Sequence, residues 1–221
     1  MSKVAIIENS PALGRYFTRY LEGLEFEIFS IWETNKLPDD IFDAYIFTGD
    51  FNNISDGLLP IHEAEVEFFK LINKKKIFGS CFFHQLIGKI FGGEVKKRDV
   101  RFFGWHRMVI EKGHQVFKGL KEPYFLNLNV DELISLPEEA KVLATNPECK
   151  FQVLMYGENI LTCQSHPEIL QQEGIESINE HRESLLHNCP ALDEMLCQTK
   201  DHADDEANRI FMGNVVNWLL Q

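Results

Sequence analysis

Three short, nearly uninterrupted apolar runs, Val4–Ile7, Ala44–Thr48 and Ile77–Gly79, recur through the first eighty residues, with turn formers and helix-patterned segments around and between them. A strand that is apolar on both faces must be covered on both faces, and the economical solution is a parallel sheet between layers of helices. The intervening segments supply those covers. Leu13, Phe17 and Leu21 fall at helical spacing within Pro11–Leu21, Gly23 ends that segment, and Phe26–Trp32 alternates like a second strand, so the chain opens as β-α-β. Between Pro60 and Lys75, Ile61, Ala64, Phe68, Leu71 and Ile72 line one helix face, and the acidic-to-basic charge order suits the helix dipole. The sequence therefore predicts an α/β fold built on a parallel sheet covered by helices. In such sheets, sites form beyond the carboxyl ends of strands, where Gly49 and Cys81 both fall.

The second half changes character. Val95–Ile110, Tyr124–Leu128, Lys141–Ala144, Phe151–Tyr156 and Ile160–Gln164 read as short strands, with Gly157-Glu158-Asn159 turning a hairpin, which predicts a mixed or antiparallel extension of the sheet. Ile169–Asn188 has helical composition, and Asp201–Glu206 starts a last helix that runs through Phe211–Leu220. No repeat, linker or low-complexity tract interrupts residues 1–221, which are expected to form a single domain.

Composition excludes several classes of function. A net charge of -12 repels phosphate backbones and anionic lipid, and no Lys/Arg stripe is interleaved with aromatics, so neither nucleic acid nor membrane is an expected partner. The first apolar run is too short for a signal peptide, and none is long enough to span a bilayer. Cys81, Cys149, Cys163, Cys189 and Cys197 form an odd set without CxxC spacing, which suggests no disulfide framework and no zinc site and fits a reducing cytoplasm. No metal and no cofactor is expected. His62-Glu63-Ala64-Glu65-Val66 lacks the second histidine of a zinc-protease helix, Gly92-Gly93 has no phosphate-loop pattern around it, and Asp201–Glu206 reads as a solvated helix start. His181 and His187 share a polar helix without a partner cluster.

The chemistry-bearing segment is Gly79-Ser80-Cys81-Phe82-Phe83-His84-Gln85, which follows the strand Lys74–Phe78 and runs at once into helix-patterned residues. A thiol in that turn lies at a helix N-terminus, where free N–H groups and the dipole favour thiolate. Cys81 is thus the candidate nucleophile. Downstream, Gln164-Ser165-His166-Pro167-Glu168 offers His166 as a base and Glu168 as the carboxylate that orients it, with Pro167 holding the link extended. The backbone N–H groups of Phe82 and Gly49 are the candidate oxyanion donors. A buried cysteine or a His-Pro-Glu string is commonplace alone; their joint occurrence in this order is what points to acyl transfer. His84, behind the nucleophile, is expected to be a hydrogen-bonded structural histidine.

With these motifs in place, the chain resembles the class I glutamine amidotransferase family, which carries a glycine-x-cysteine-x-glycine-His-Gln turn and a late His-Pro-Glu. The similarity runs from about Ala44 to Glu168: Thr48-Gly49 looks like the family's oxyanion strand, Gly92-Gly93-Glu94-Val95 like its glycine pair, and Asn129–Pro137 like its segment before a Leu-Pro. The resemblance implies a flavodoxin-like fold, a γ-glutamyl thioester on Cys81, a triad with His166 and Glu168, and substrate contact from Gln85. The expected function is a cysteine-dependent amidohydrolase or amidotransferase that cleaves the γ-amide of glutamine or of a γ-glutamyl compound, as in stand-alone glutaminase subunits and γ-glutamyl peptidases. A separate synthetase would be the acceptor protein, or water alone completes hydrolysis. Two departures stand out. Phe83 replaces the small residue of the turn and is expected to displace the helix or fill the pocket, tempering activity. Asn129 stands where the family usually has histidine. The alternative is an impaired homologue acting as a metabolite-binding or protein-interaction module. A related cysteine hydrolase or chaperone would need an acid beside the cysteine, and Glu8 is the only early carboxylate at a strand end.

Overall fold

The computed structural model describes residues 2–39 and 41–221, apart from the side chains of residues 184, 187 and 188. Strand β1 (Lys3–Glu8) leads through a short helix α1 (Arg15–Thr18), extended by a 3-10 turn over Arg19–Leu21, to β2 (Glu25–Ser30) and helix α2 (Ile31–Thr34). Then come β3 (Ala44–Phe47), α3 (Pro60–Ile72), β4 (Lys76–Ser80), α4 (Phe82–Ile90), β5 (Glu94–Arg107), β6 (Val109–Ile110), β7 (Tyr124–Ser135), β8 (Ala140–Thr145), β9 (Val153–Tyr156) and β10 (Ile160–Cys163). Helices α5 (Gln171–Glu180), α6 (Arg182–Asn188), α7 (Leu192–Thr199) and α8 (Asp205–Leu219) complete the chain.

The main sheet has the order β2-β1-β3-β4-β10-β9-β8-β6, and β5 and β7 form a separate antiparallel ribbon. From β2 to β10 neighbours are parallel; from β10 through β9 and β8 to β6 they are antiparallel. The expected α/β architecture with an antiparallel extension is what forms. Its physical cause is visible in β1, where Val4 and Ile6 face the cluster containing Phe211, Val215 and Trp218 of α8, and Ala5 and Ile7 face the cluster containing Phe69 of α3 and Leu86 of α4. All four are fully buried. Each large apolar side chain so covered contributes about 1.5–3 kcal/mol. A third cluster, including Phe103, Trp105, Leu126, Ile178 and Leu185, packs the ribbon against α5 and α6.

Several expectations shift in detail. The helix expected over Pro11–Leu21 begins only at Arg15, because Ala12 takes a positive φ of 63°. Trp32 leaves the expected strand Phe26–Trp32 and sits in α2, where its indole N–H reaches Glu8. The region Val95–Ile110 is one long strand followed by a two-residue one, and β7 runs on to Ser135, so Asn129–Ser135 is strand. The last helix starts at Asp205, with Asp204 as its cap accepting from the Ala207 N–H at 3.0 Å. Among the described residues, no helix is long and apolar enough to cross a membrane.

Candidate active site

The sheet register assembles the site. Phe47 pairs with Gly79, so Gly49 and Cys81, each two residues further on, emerge side by side. A Cβ placed on Gly49 would lie 3.3 Å from the Cys81 Cβ and 3.0 Å from Cε1 of His166. On the other flank of β4, Ser80 pairs with Cys163, and the Cys81 N–H donates to the Cys163 carbonyl at 2.8 Å, which carries the chain toward His166. The His166 N–H donates to the Leu126 carbonyl at 2.7 Å, an isolated bridge that fixes the histidine against the ribbon.

Cys81 is the N-cap of α4 with φ 51° and ψ -104°. A non-glycine residue held there costs on the order of 1–3 kcal/mol, a strain typical of functional turns. The side chain is almost buried. Gly79 explains the fit of the turn: a Cβ there would meet the Phe83 ring at 2.1 Å. Phe83 corrects the expectation attached to it. Its ring does not fill the cavity; it enters the space that Gly79 leaves, stacks on Phe47 with centroids 3.9 Å apart, and meets Phe69 edge-on at 6.2 Å. Phe83 is fully buried in the core beneath the turn and outside the cavity lining.

His166 Nδ1 lies 2.8 Å from Glu168 Oε1, which also accepts from Ser80 Oγ at 3.1 Å. Asn208 Nδ2 donates to the carbonyls of Pro167 and Ile169 at 2.7 and 3.1 Å and pins the segment from behind. Burial disfavours a charged His166 ring, but the negative charges of Cys81 and Glu168, and hydrogen bonds to both, outweigh it and raise the pKa to about 10. The structure thus brings Cys81, His166, Glu168 and Gly49 together, and Phe82, next in the chain after Cys81, opens α4, where first-turn N–H groups have no intrahelical acceptor.

A cavity of about 90 Å³ opens at this point, lined by Cys81, His166, Gln85 and Asn129 among others. Gln85 Nε2 donates to the Asp131 carbonyl at 2.8 Å and to Gln164 Oε1 at 3.1 Å, so its nitrogen braces the wall. Asn129 Nδ2 likewise donates to the Asp131 carbonyl, at 2.9 Å. His84 is buried with Nδ1 2.9 Å from Thr162 Oγ1, and burial lowers its pKa to about 3, consistent with a neutral structural histidine. Glu8 accepts from the Gly14 N–H, Ser30 and Trp32, and is spent on structure.

Sequence reasoning missed other members of the site. Gln164 Nε2 lies 3.8 Å from the Cys81 sulfur. His181 lines the cavity and stacks on Phe51 at 4.6 Å, tying the loop after Gly49 to the end of α5; the side chain of His187 lies outside the described residues. Asp50 lines the cavity too, 2.9 Å from buried His62. Arg101 reaches the cavity from β5. Of these, only Gln164 carried a signal, its place in the His166 string. Among the described residues, no group of His, Cys, Asp and Glu is placed to hold a metal ion.

Comparison with known proteins matches residues 6–182 to the model of the family described as glutamine amidotransferase class-I. The chain is 26% identical to gamma-glutamyl peptidase 3 of Arabidopsis thaliana over 70% of this chain and 69% of that protein. It is 29% identical to the glutamine-hydrolysing GMP synthase subunit of Sulfolobus acidocaldarius over 79% of this chain and 94% of that protein. In structure it resembles a glutamine amidotransferase of Thermotoga maritima, with a TM-score of 0.83 and 15% identity, covering all of this chain and 98% of that one.

Proposed function

The chain belongs to the class I glutamine amidotransferase family, and from that premise we propose that it is a cysteine-dependent amidohydrolase acting on the γ-amide of glutamine or of a γ-glutamyl compound. The observation that carries the reading is the positive-φ elbow that sets Cys81 at the N-terminus of α4 beside the His166–Glu168 pair. In the proposed reaction the Cys81 thiolate attacks the γ-carbonyl carbon. The oxygen, now negative, accepts from the N–H groups of Phe82 and Gly49. Imidazolium His166 passes its proton to the leaving nitrogen, the C–N bond breaks, and a γ-glutamyl thioester remains on sulfur. Water then attacks the thioester and gives a proton to His166, the C–S bond breaks, and the acid leaves with the Cys81 thiolate and the His166 imidazolium restored. Glu168 holds the imidazole ring in the required orientation.

Gln85, braced between Asp131 and Gln164, contributes its carbonyl oxygen to the substrate-facing wall in this reading. The relatives named for γ-glutamyl peptidase and for glutamine-hydrolysing GMP synthase frame two fates for the reaction. Plain hydrolysis releases the amine, whereas a separate synthetase protein would take up ammonia. Incubation with glutamine and with γ-glutamyl dipeptides, with Cys81→Ala alongside, tests the proposal. Glutamate should form in the wild type and not in the variant; equal product in both refutes the reading.

A further inference from the structure

The ribbon that walls the cavity loses its register between Lys97 and Phe102. Lys97 pairs with Asp131 and Phe102 with Asn129, so residues 98–101 stand opposite the single residue Val130. Such a bulge re-aims side chains out of the ladder's alternation. Arg98 turns to Glu132 and to the Glu148 carbonyl, and Val100 goes to solvent. Arg101 turns into the cavity wall. Its Nη1 donates to the Leu128 carbonyl, while its Nε is buried with no acceptor.

Arg101 is the one Lys or Arg side chain among the described residues that line this cavity. The carboxylates of the same wall are already engaged: Asp131 takes the Ser55 N–H and hydroxyl, both at 2.7 Å, and Asp50 takes Ser10, Asn52 and His62. Burial pushes the Arg101 pKa below its ordinary value; the sulfurs of Cys81 and Cys189 act against that shift, and no carboxylate does. In a chain with 34 acidic and 22 basic residues, a guanidinium without an acid partner does not lack one for want of supply. A planar fork in the cavity wall whose hydrogen bond goes to a backbone carbonyl, and which has no acid partner among the described residues, fits a carboxylate supplied from outside.

We infer that Arg101 binds the α-carboxylate of the glutamyl group whose γ-carbonyl carbon meets Cys81. The inference rests on the reading of Cys81 as a nucleophile toward γ-glutamyl donors and assigns the end of the donor remote from the scissile bond. Arg101 is a specificity residue in this arrangement, and it selects free acids over their α-esters and α-amides.

The test uses the chloroketone analogue of glutamine and its α-methyl ester. In either reaction the Cys81 sulfur forms a bond to the methylene carbon and chloride leaves. Iodoacetamide, which needs no recognition, reports whether the elbow is intact. In the wild-type protein the free acid should label Cys81 about 10- to 100-fold faster than the ester, the range of a charged hydrogen-bonded contact. Arg101→Gln should bring the two rates together, and Arg101→Lys, which keeps the charge but not the fork, should retain part of the preference. Because the charges of Arg101 and Cys81 act on each other, the preference is read as the acid-to-ester ratio within each protein, and iodoacetamide should label Cys81 itself in all three. Because the chloroketone has no leaving amine, a preference reports the α-carboxylate and not an acid on the departing side. Equal rates for acid and ester in the wild type, a preference that survives in Arg101→Gln, or no labelling by either chloroketone of a protein that takes iodoacetamide would each overturn the inference. Failure to hydrolyse glutamine or γ-glutamyl dipeptides while the acid preference holds would instead count against the enzymatic reading alone.

Discussion

His166 sits against both Cys81 and Glu168, and that placement fixes several expectations for single residues. Since the His166 pKa is raised to about 10, the imidazolium that the proposed reaction needs to protonate the leaving amine persists across the neutral range. The kcat/KM profile should therefore lose its alkaline side near that value and not near the ordinary histidine value of about 6.5. By the same sign, the stability contributed by the raised His166 pKa is complete below the unfolded histidine pKa and is lost as pH rises through the folded one. Glu168→Gln should lower kcat by up to about 10⁴-fold with little change in KM, measured by glutamate release. Gly49→Ala should cost activity with little loss of melting temperature, because its Cβ would press on His166 Cε1 at 3.0 Å. Gly79→Ala tests a different contact: its Cβ would overlap the Phe83 ring, so a loss of about 1–3 kcal/mol is expected by denaturant unfolding. In a Phe83→Leu background that loss should shrink, a coupling a double-mutant cycle reads directly. The positions of Cys81, His166 and Glu168 were legible from residue type and order. The direction of the Phe83 ring was not, since it depends on the hollow that Gly79 leaves beneath the turn.

Between elements, a buried polar network supports the strand end at Gly49. The Asn9 N–H donates to Thr48 Oγ1 at 3.0 Å, and Asn9 Nδ2 donates to the Thr48 carbonyl and to Glu65 Oε1 of α3 at 3.3 and 3.1 Å. Burial raises the Glu65 pKa to about 8, opposed by the Asn9 hydrogen bond and aided by the charge of Asp50. Glu65 is therefore folded as the neutral acid, and the stability this gives is full below its unfolded pKa and lost as pH rises through about 8. Glu65→Gln should match the wild type in thermal unfolding near pH 5 and exceed it at alkaline pH, by a few kcal/mol at most. No such increase would show that the carboxyl is not buried as described. Period-2 and period-3.6 patterns revealed β1, β3, β4 and α3, because one-sided or two-sided burial writes itself into spacing. They gave no sign of the bulge at residues 98–101, nor of α7, whose single buried residue is Leu192. A bulge is a count of residues against a partner strand, and one strand's sequence does not carry its partner's register.

Taken as a whole, the molecule uses parallel register to deliver three remote segments to one cavity: residues following β3, β4 and β10 meet because those strands are neighbours. That convergence was legible as far as the strands were, since sites in such sheets gather at carboxyl ends. The cover over the cavity was not. Ile178 and His181 at the end of α5 and Leu185 of α6 reach it through packing on the β5–β7 ribbon, a contact with no local motif. In the proposed reaction, what unites these parts is an acyl group carried on the Cys81 sulfur. Mass spectrometry of protein quenched in acid during turnover of a γ-glutamyl donor would observe it. A glutamyl adduct on the Cys81 peptide, released by hydroxylamine and missing from Cys81→Ala, is the expected result; an unmodified Cys81 in folded protein that is releasing glutamate, or an adduct on another residue, would contradict it.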